Sequence, residues 1–251
     1  MCGRFVQHAD PERYASRYAA EVDSEALGDW RPSYNVAPTR PVLAIRASRG
    51  EAGAGRRELT SLRWGLIPSW SKGPDNRYSM INARAETVAS KPAYRNAFKR
   101  RRCVIPAEGF YEWQAAAHEA RQKGGQAKQP FFIHRKDHAP ILLAGLWEIW
   151  RPEEGEPVHS CTIVVTDAND AIAAVHDRMP VVLEPAVMDR WLDPEHADAE
   201  DLLSLLRPSP AADWAVTPVS RRVNSPANDD ADLLRPLDEA DAQTADNARR
   251  R

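Results

Sequence analysis

Along this chain, apolar and polar positions alternate over short stretches more often than they recur at helical spacing. Residues 42–47, 58–66, 102–107, 131–135, 141–150 and 161–166 are rich in β-branched or aromatic side chains and end at turn formers, so each predicts a strand. Helical periodicity is confined to shorter stretches: 10–20, where Asp10 is placed to cap and Pro11 to occupy the first turn, then 91–99, 170–175, 185–192 and 201–206. The resulting expectation is an α+β domain built mainly of antiparallel strands with flanking helices. Two Gly- and charge-rich stretches, 48–56 and 115–129, read as insertions between strands. The last apolar pattern fades near Pro236, so we expect one domain over 1–236 and an acidic, disordered tail over 237–251.

Composition narrows the class. With 251 residues and 43% hydrophobic positions, the chain buries a sizeable core without staples. Its three cysteines, Cys2, Cys103 and Cys161, form no CxxC pair and read as thiols in a reducing compartment rather than a disulfide framework. Neither a membrane-length apolar run nor a signal-peptide core is present, so a soluble, cytoplasmic and nucleoid-associated protein is expected. Eight Trp and 20 Pro favour a turn-rich architecture with aromatic surface over a helical bundle.

Charge is segregated beneath a net value of −2. Arg84, Lys91, Arg95, Lys99, Arg100, Arg101 and Arg102 face the single acid Glu86 within 84–102, whereas acids dominate after Asn228. A basic belt of this kind suits phosphate neutralisation, although a solvated surface has the same composition. Trp70, carried by the turn-forming Pro68-Ser69, is placed either to stack on an unpaired base or to pack over a sheet edge.

Familiar catalytic signatures are absent: no GxSxG, no phosphate-binding GxxxxGK[ST], no HExxH and no GxGxxG after a strand. The seven His and three Cys lack metal-ligand spacing, so neither a metal nor a cofactor is expected. Cys2 is distinguished by its position. Removal of Met1 leaves one residue carrying both a thiol and a free α-amine, groups that titrate near neutrality in water. Such an aminothiol condenses with an aldehyde to an imine and closes to a thiazolidine. Its thiol alone serves as an acyl nucleophile, and an inert buried cysteine is the third alternative. Asn82 and Arg84 share one face of an extended segment, Glu112 lies between Tyr111 and Trp113 in a setting that suits a carboxyl to proton transfer, and His176 precedes an Asp and an Arg.

Nine ordered segments carry a resemblance: MCGRF at the start, SYNVAPT (33–39), RWGLIPSW (63–70), INARAET (81–87), CVIPAEGFYEW (103–113), QPFFI (129–133), AGLWE (144–148), HDRMPVVL (176–183) and PVSRRVN (218–224). Together they resemble the SOS-response-associated peptidase (SRAP) family. That resemblance implies a mixed fold whose strands curl into a barrel-like core, and a cleft for single-stranded DNA containing abasic sites. It implies covalent capture of the abasic aldehyde by Cys2, with Asn82 orienting the amine or the sugar and Glu112 and His176 moving protons. Arg4, Arg84 and Arg178 are implied as phosphate contacts, with Asn35, Pro38, Trp70 and Thr166 lining the cleft. Ser71 stands where some relatives carry a second aromatic, which leaves base stacking to Trp70. A monomer is expected. Strand cleavage from the imine is an implied side reaction; a thiol peptidase using Cys2, acting even on its own Met1 alone, and a non-catalytic reader of modified DNA are the competing functions.

Overall fold

The computed structural model of the chain describes residues 2–48, 56–73, 80–114 and 128–237. Its strands are β1 (Arg4–Gln7), β2 (Ala20–Val22), β3 (Ser33–Val36), β4 (Pro41–Ala47), β5 (Arg57–Trp64), β6 (Asn82–Arg84), β7 (Arg102–Ala107), β8 (Gly109–Gln114), β9 (Gln129–Arg135), β10 (Ile141–Trp150), β11 (Val158–Asp167), β12 (Arg178–Pro180), β13 (Val182–Leu183) and β14 (Trp214–Pro218). The helices are α1 (Pro11–Tyr18), α2 (Arg95–Arg100), α3 (Asp170–Ala173), α4 (Met188–Leu192) and α5 (Ala199–Ser204). All six stretches read as strands form strands. Asp10 caps α1 through the Glu12 N–H at 2.8 Å, with Pro11 in the first turn, because a missing proline donor costs nothing there.

Five strands make a barrel. β5, β4, β7, β10 and β11 pair in that order, antiparallel throughout, and the ring closes where β11 returns to β5 in a parallel pairing, Ser160 opposite Arg63 and Cys161 opposite Trp64. Closure leaves neither strand with an open edge at that seam. Side chains alternate between two cores. One set, including Val42, Leu62, Trp64, Ile105, Leu143 and Ile163, clusters with Cys103 and Cys161, both fully buried. The other set packs against α1, α2, α4 and α5 through Tyr14, Phe98, Trp191 and Leu202. The barrel-like α+β fold expected from the resemblance is present, and no described helix is long and apolar enough to cross a membrane.

A second sheet, ordered β14-β9-β8-β1-β3, lies across this barrel, and of its strands only β9 was anticipated. Its inner side chains Phe5, Phe110, Ile133 and Trp214 join the barrel cluster. Its outer face, Val6, Tyr111 and Phe132, is covered by Val219, Val223 and Leu233 of a strap over 219–237. Arg4 and Asn35 fasten the strap. Arg4 Nη1 donates to Val223 O at 3.0 Å, and Asn35 Nδ2 donates to the carbonyls of Val223, Ser225 and Asn228 at 3.2, 3.1 and 2.9 Å. The insertion over 48–56 closes on a Ser48 N–H to Arg56 O bond, and that over 115–129 falls between the paired Gln114 and Gln129. Most of both insertions, and the tail after residue 237, lie outside the described residues.

Two substitutions test these packing arguments. A Cβ at Gly145 would stand 2.8 Å from Cys103 Sγ and 3.2 Å from the Thr162 carbonyl oxygen. Gly145→Ala is therefore expected to cost about 1–3 kcal/mol through overpacking, read as a lower urea midpoint at unchanged slope. Asn35→Ala strips the donor from three strap carbonyls and is expected to cost about 2 kcal/mol. Limited trypsin digestion should then cut first after Arg221 or Arg222, and a strap as resistant as in the wild type would contradict the anchoring role.

Candidate active site at the start of the first strand

Cys2 enters the structure two residues before β1, the strand between β8 and β3. Register places Arg4 opposite Tyr111 and Phe5 opposite Phe110, so the chain start runs beside the end of β8 that carries Glu112. Phe5 sets the depth of this segment: its ring meets Trp64 edge-on at 4.9 Å, and both are fully buried. The Trp64 indole N–H in turn donates to Ile81 O at 3.0 Å, which fixes the entry into β6. The next residue is Asn82. Its Nδ2 donates to Cys2 O at 2.8 Å, and the Tyr94 hydroxyl donates to Asn82 O at 3.2 Å.

Electrostatics at this point are those of a dry pocket. Cys2 is fully buried and Glu112 is 2% exposed. Burial pushes the Cys2 thiol well above its ordinary pKa, and the Glu112 carboxylate pushes it further the same way. At neutral pH the thiol therefore holds its proton. Asn82 Oδ1 is buried and has no hydrogen-bond partner among the described residues, leaving an unsatisfied acceptor beside the Cys2 backbone.

The remaining expected residues divide into two groups. β11 is flanked beyond its barrel pairings by β6 on one edge, Val165 opposite Arg84, and by β12 on the other, Thr166 opposite Met179 and Asp167 opposite Arg178. Asn82, Arg84, Thr166 and Arg178 thus share one end of three adjacent strands. His176 lies just before β12; its Nδ1 accepts the Arg178 N–H at 3.0 Å when the ring is neutral, and the Asp177 carboxylate at 2.8 Å becomes its partner when Nδ1 is protonated. Gln114, at the end of β8, ties this loop to the Glu112 strand by donating to Ala174 O at 2.9 Å. Trp70 stands 67% exposed on its turn, as the open reading of Pro68-Ser69 anticipated. Behind it, the Trp150 indole donates to Ser71 O at 2.8 Å, so a second tryptophan braces the turn from below.

Arg4 and Asn35 form the second group, and their polar atoms are already committed. Besides its strap bond, Arg4 Nη1 donates to Asn35 Oδ1 at 2.9 Å, and burial lowers its guanidinium pKa. Pro38 lies half-buried in the turn after β3, beside them. Arg178 is held by Glu86 and, at 3.2 Å, by Asp167. The basic belt is likewise uneven. Arg84, Lys91, Arg95, Lys99 and Arg100 are exposed, but Arg101 pairs with Glu148 at 2.7 Å. Arg102 is buried and donates to five carbonyls, those of Trp191, Phe98, Lys99, Asp193 and His196, with its pKa pushed down to about 10 by desolvation. Positioning residues Trp64, Tyr94 and Gln114 were missed in the sequence; the RWGLIPSW segment drew notice only to Trp70.

Known proteins match this architecture over nearly the whole chain. A Bacillus subtilis (strain 168) protein named "Abasic site processing protein YoaM" is 40% identical over 235 residues, covering 93% of this chain and 97% of its own. "Abasic site processing protein YedK" of Escherichia coli (strain K12) is 32% identical, covering 94% of this chain and all of its own, and "Abasic site processing protein HMCES" of Gallus gallus is 34% identical over 95% of this chain and 78% of its own. A Bacteroides thetaiotaomicron crystal structure superposes with a TM-score of 0.79 at 25% identity, covering 94% of this chain and 100% of that one. The family model described as SOS response associated peptidase (SRAP) matches residues 1–226, and the chain belongs to that family.

Proposed function

We propose that this protein captures abasic sites in single-stranded DNA covalently, through the N-terminal aminothiol that Cys2 presents once Met1 is removed. Support comes from relatives named for abasic site processing and from Asn82. That side chain grips the Cys2 carbonyl with its amide N–H while its own carbonyl oxygen stays buried without a donor. A Cys2 amine or a deoxyribose hydroxyl supplies the donor this oxygen lacks, and this observation carries the reading.

The chemistry balances without an oxidant or a metal. The α-amine of Cys2 adds to C1′ of the ring-opened deoxyribose aldehyde, and loss of water from the carbinolamine gives the imine. The Cys2 sulfur then bonds to the same carbon, the C=N π pair passes to nitrogen, and the thiol proton ends on that nitrogen. A thiazolidine and one water result. In this reading Glu112 relays protons in ring opening, dehydration and closure, with His176 as the second acid/base. A buried, protonated thiol suits this order, amine first and sulfur second. Arg84 and Arg178 are assigned to the phosphates flanking the site, Trp70 to stacking on an exposed base, and Thr166 and Pro38 to the cleft walls. Arg4 and Asn35 contribute through the strap they hold.

Incubation with abasic single-stranded oligonucleotide should give a Cys2-dependent shifted band on a denaturing gel. Cys2→Ala keeps an N-terminal amine but no sulfur, so imine formation should end in strand cleavage by elimination in place of a stable crosslink. Glu112→Gln should slow capture by about 10²-fold or more. Absence of any shifted band, or a retained Met1 in protein that crosslinks fully, would overturn the reading; equal binding by Cys2→Ala with no crosslink in either protein would favour a non-catalytic reader.

Because Glu112 raises the Cys2 pKa, Glu112→Gln should shift the pH profile of Cys2 alkylation, followed by mass mapping, to lower pH. Burial should still hold that profile above the profile of an ordinary cysteine. An unmoved or upward-shifted profile would show that the carboxylate does not act on the thiol.

A further inference from the structure

A cavity of about 200 Å3 opens beside the proposed capture site, between the β3–β4 turn and the strap. Its volume is below the ~300–1,000 Å3 of pockets for drug-sized ligands and suits a single ring system. Arg31, Arg40 and Asp229 line it with Pro32, Pro41 and Pro226. Three features prepare it for a base. The prolines offer flat, rigid walls. Arg40 is exposed, and although its backbone bonds Ala37 O and the Trp64 N–H, its guanidinium has no hydrogen bond or ion pair among the described residues, so its planar fork is available. The Asp229 carboxylate is fixed in place, since its Oδ1 accepts the Tyr34 N–H at 2.6 Å and Asn35 holds the neighbouring Asn228 carbonyl at 2.9 Å.

The location follows from register. Val36 lies opposite Phe5, and the Asn35 side chain that reaches Arg4 belongs to the same cavity wall. The cavity therefore sits one strand away from the segment that begins with Cys2, on the side of β1 opposite Glu112 and β8.

We infer that this cavity reads a guanine adjacent to the abasic nucleotide, an inference that rests on the single-stranded DNA reading above. Among the DNA bases only guanine sets two adjacent donors, N1–H and N2–H2, where one carboxylate accepts both. It also offers O6 and N7 to an arginine fork. Asp229 and Arg40 supply those two complements within one pocket. Arg31, whose Nη1 is partly taken by the carbonyls of Gly28 and Trp30, adds positive charge at the rim.

Equilibrium binding is measured with single-stranded oligonucleotides carrying a non-reactive tetrahydrofuran abasic analogue, flanked on either side in turn by each of the four bases. Guanine at one of the two flanking positions should bind about fivefold more tightly than adenine. In Arg40→Ala and in Asp229→Asn, which keeps an oxygen for the Tyr34 N–H, the guanine-to-adenine ratio should fall toward one. Arg40→Lys separates base reading from charge: a lysine lacks the fork, so the ratio should fall there too while the salt dependence of binding stays as in the wild type. Equal binding of all four bases, or a ratio that survives in Arg40→Lys or Asp229→Asn, overturns the pocket and leaves abasic capture standing. Failure to bind any of these oligonucleotides, together with no crosslink to a true abasic site, overturns both.

Discussion

The Trp64 indole is the contact on which the rest of this structure depends. It sits where β5 and β11 close the barrel, opposite Cys161, and one side receives the edge of Phe5 while its N–H holds Ile81 O. Barrel closure, the depth of the chain start and the position of β6 are therefore set by one rigid side chain. Cys2 and Asn82 lie 80 residues apart in sequence, and they meet because both are referred to the same ring. A flexible side chain filling the same volume would satisfy the core without fixing that relation.

Burial does a second job here. An aminothiol in open solution reacts with any aldehyde, and its thiolate is open to oxidation and alkylation. In the dry corner between β1 and β8 the Glu112 charge and low polarity hold the sulfur as a thiol. Under the proposed function, reactivity then rests with the amine until an imine carbon arrives within reach of sulfur.

How much of this was legible in the sequence differs between the two sheets. Barrel strands such as β10 and β11 are ten residues long, buried on both faces over most of their length and carry continuous runs of β-branched and apolar residues, so their signal exceeds that of any alternative. β1, β3, β8 and β14 are four to six residues long; the first three mix aromatics with Arg, Gln, Asn and Glu, and β14 ends in Thr-Pro. Their stability comes from being clamped between barrel and strap, a tertiary cause invisible to local pattern. At the site, Cys2 was legible from chemistry and position and Glu112 from its aromatic neighbours, whereas the role of Asn82 came from the resemblance. Arg4 and Asn35 show the limit of carrying roles by motif: they bond each other and the carbonyls of Val223, Asn224, Ser225 and Asn228, so their first duty is to hold the strap. Trp64 gave no signal, because a core tryptophan and a positioning tryptophan look alike until the ring's neighbours are known.

The same limit applies to charge. The belt over 84–102 counted seven bases, but a buried Arg102 saturated by carbonyls and an Arg101 paired to Glu148 offer nothing to a phosphate. Arg178 is partly committed: its Nη1 is held by Glu86 and Asp167, whose pairing already orients the guanidinium. A phosphate arriving there is repelled by the same two carboxylates, so its net electrostatic gain is small. The gain grows where the DNA brings several phosphates at once, to Arg84, Arg178 and the exposed face of α2 together. Under the proposed function a strand laid along that face is therefore favoured over an isolated phosphate, and the paired acids act as a threshold against weak, single-point binding.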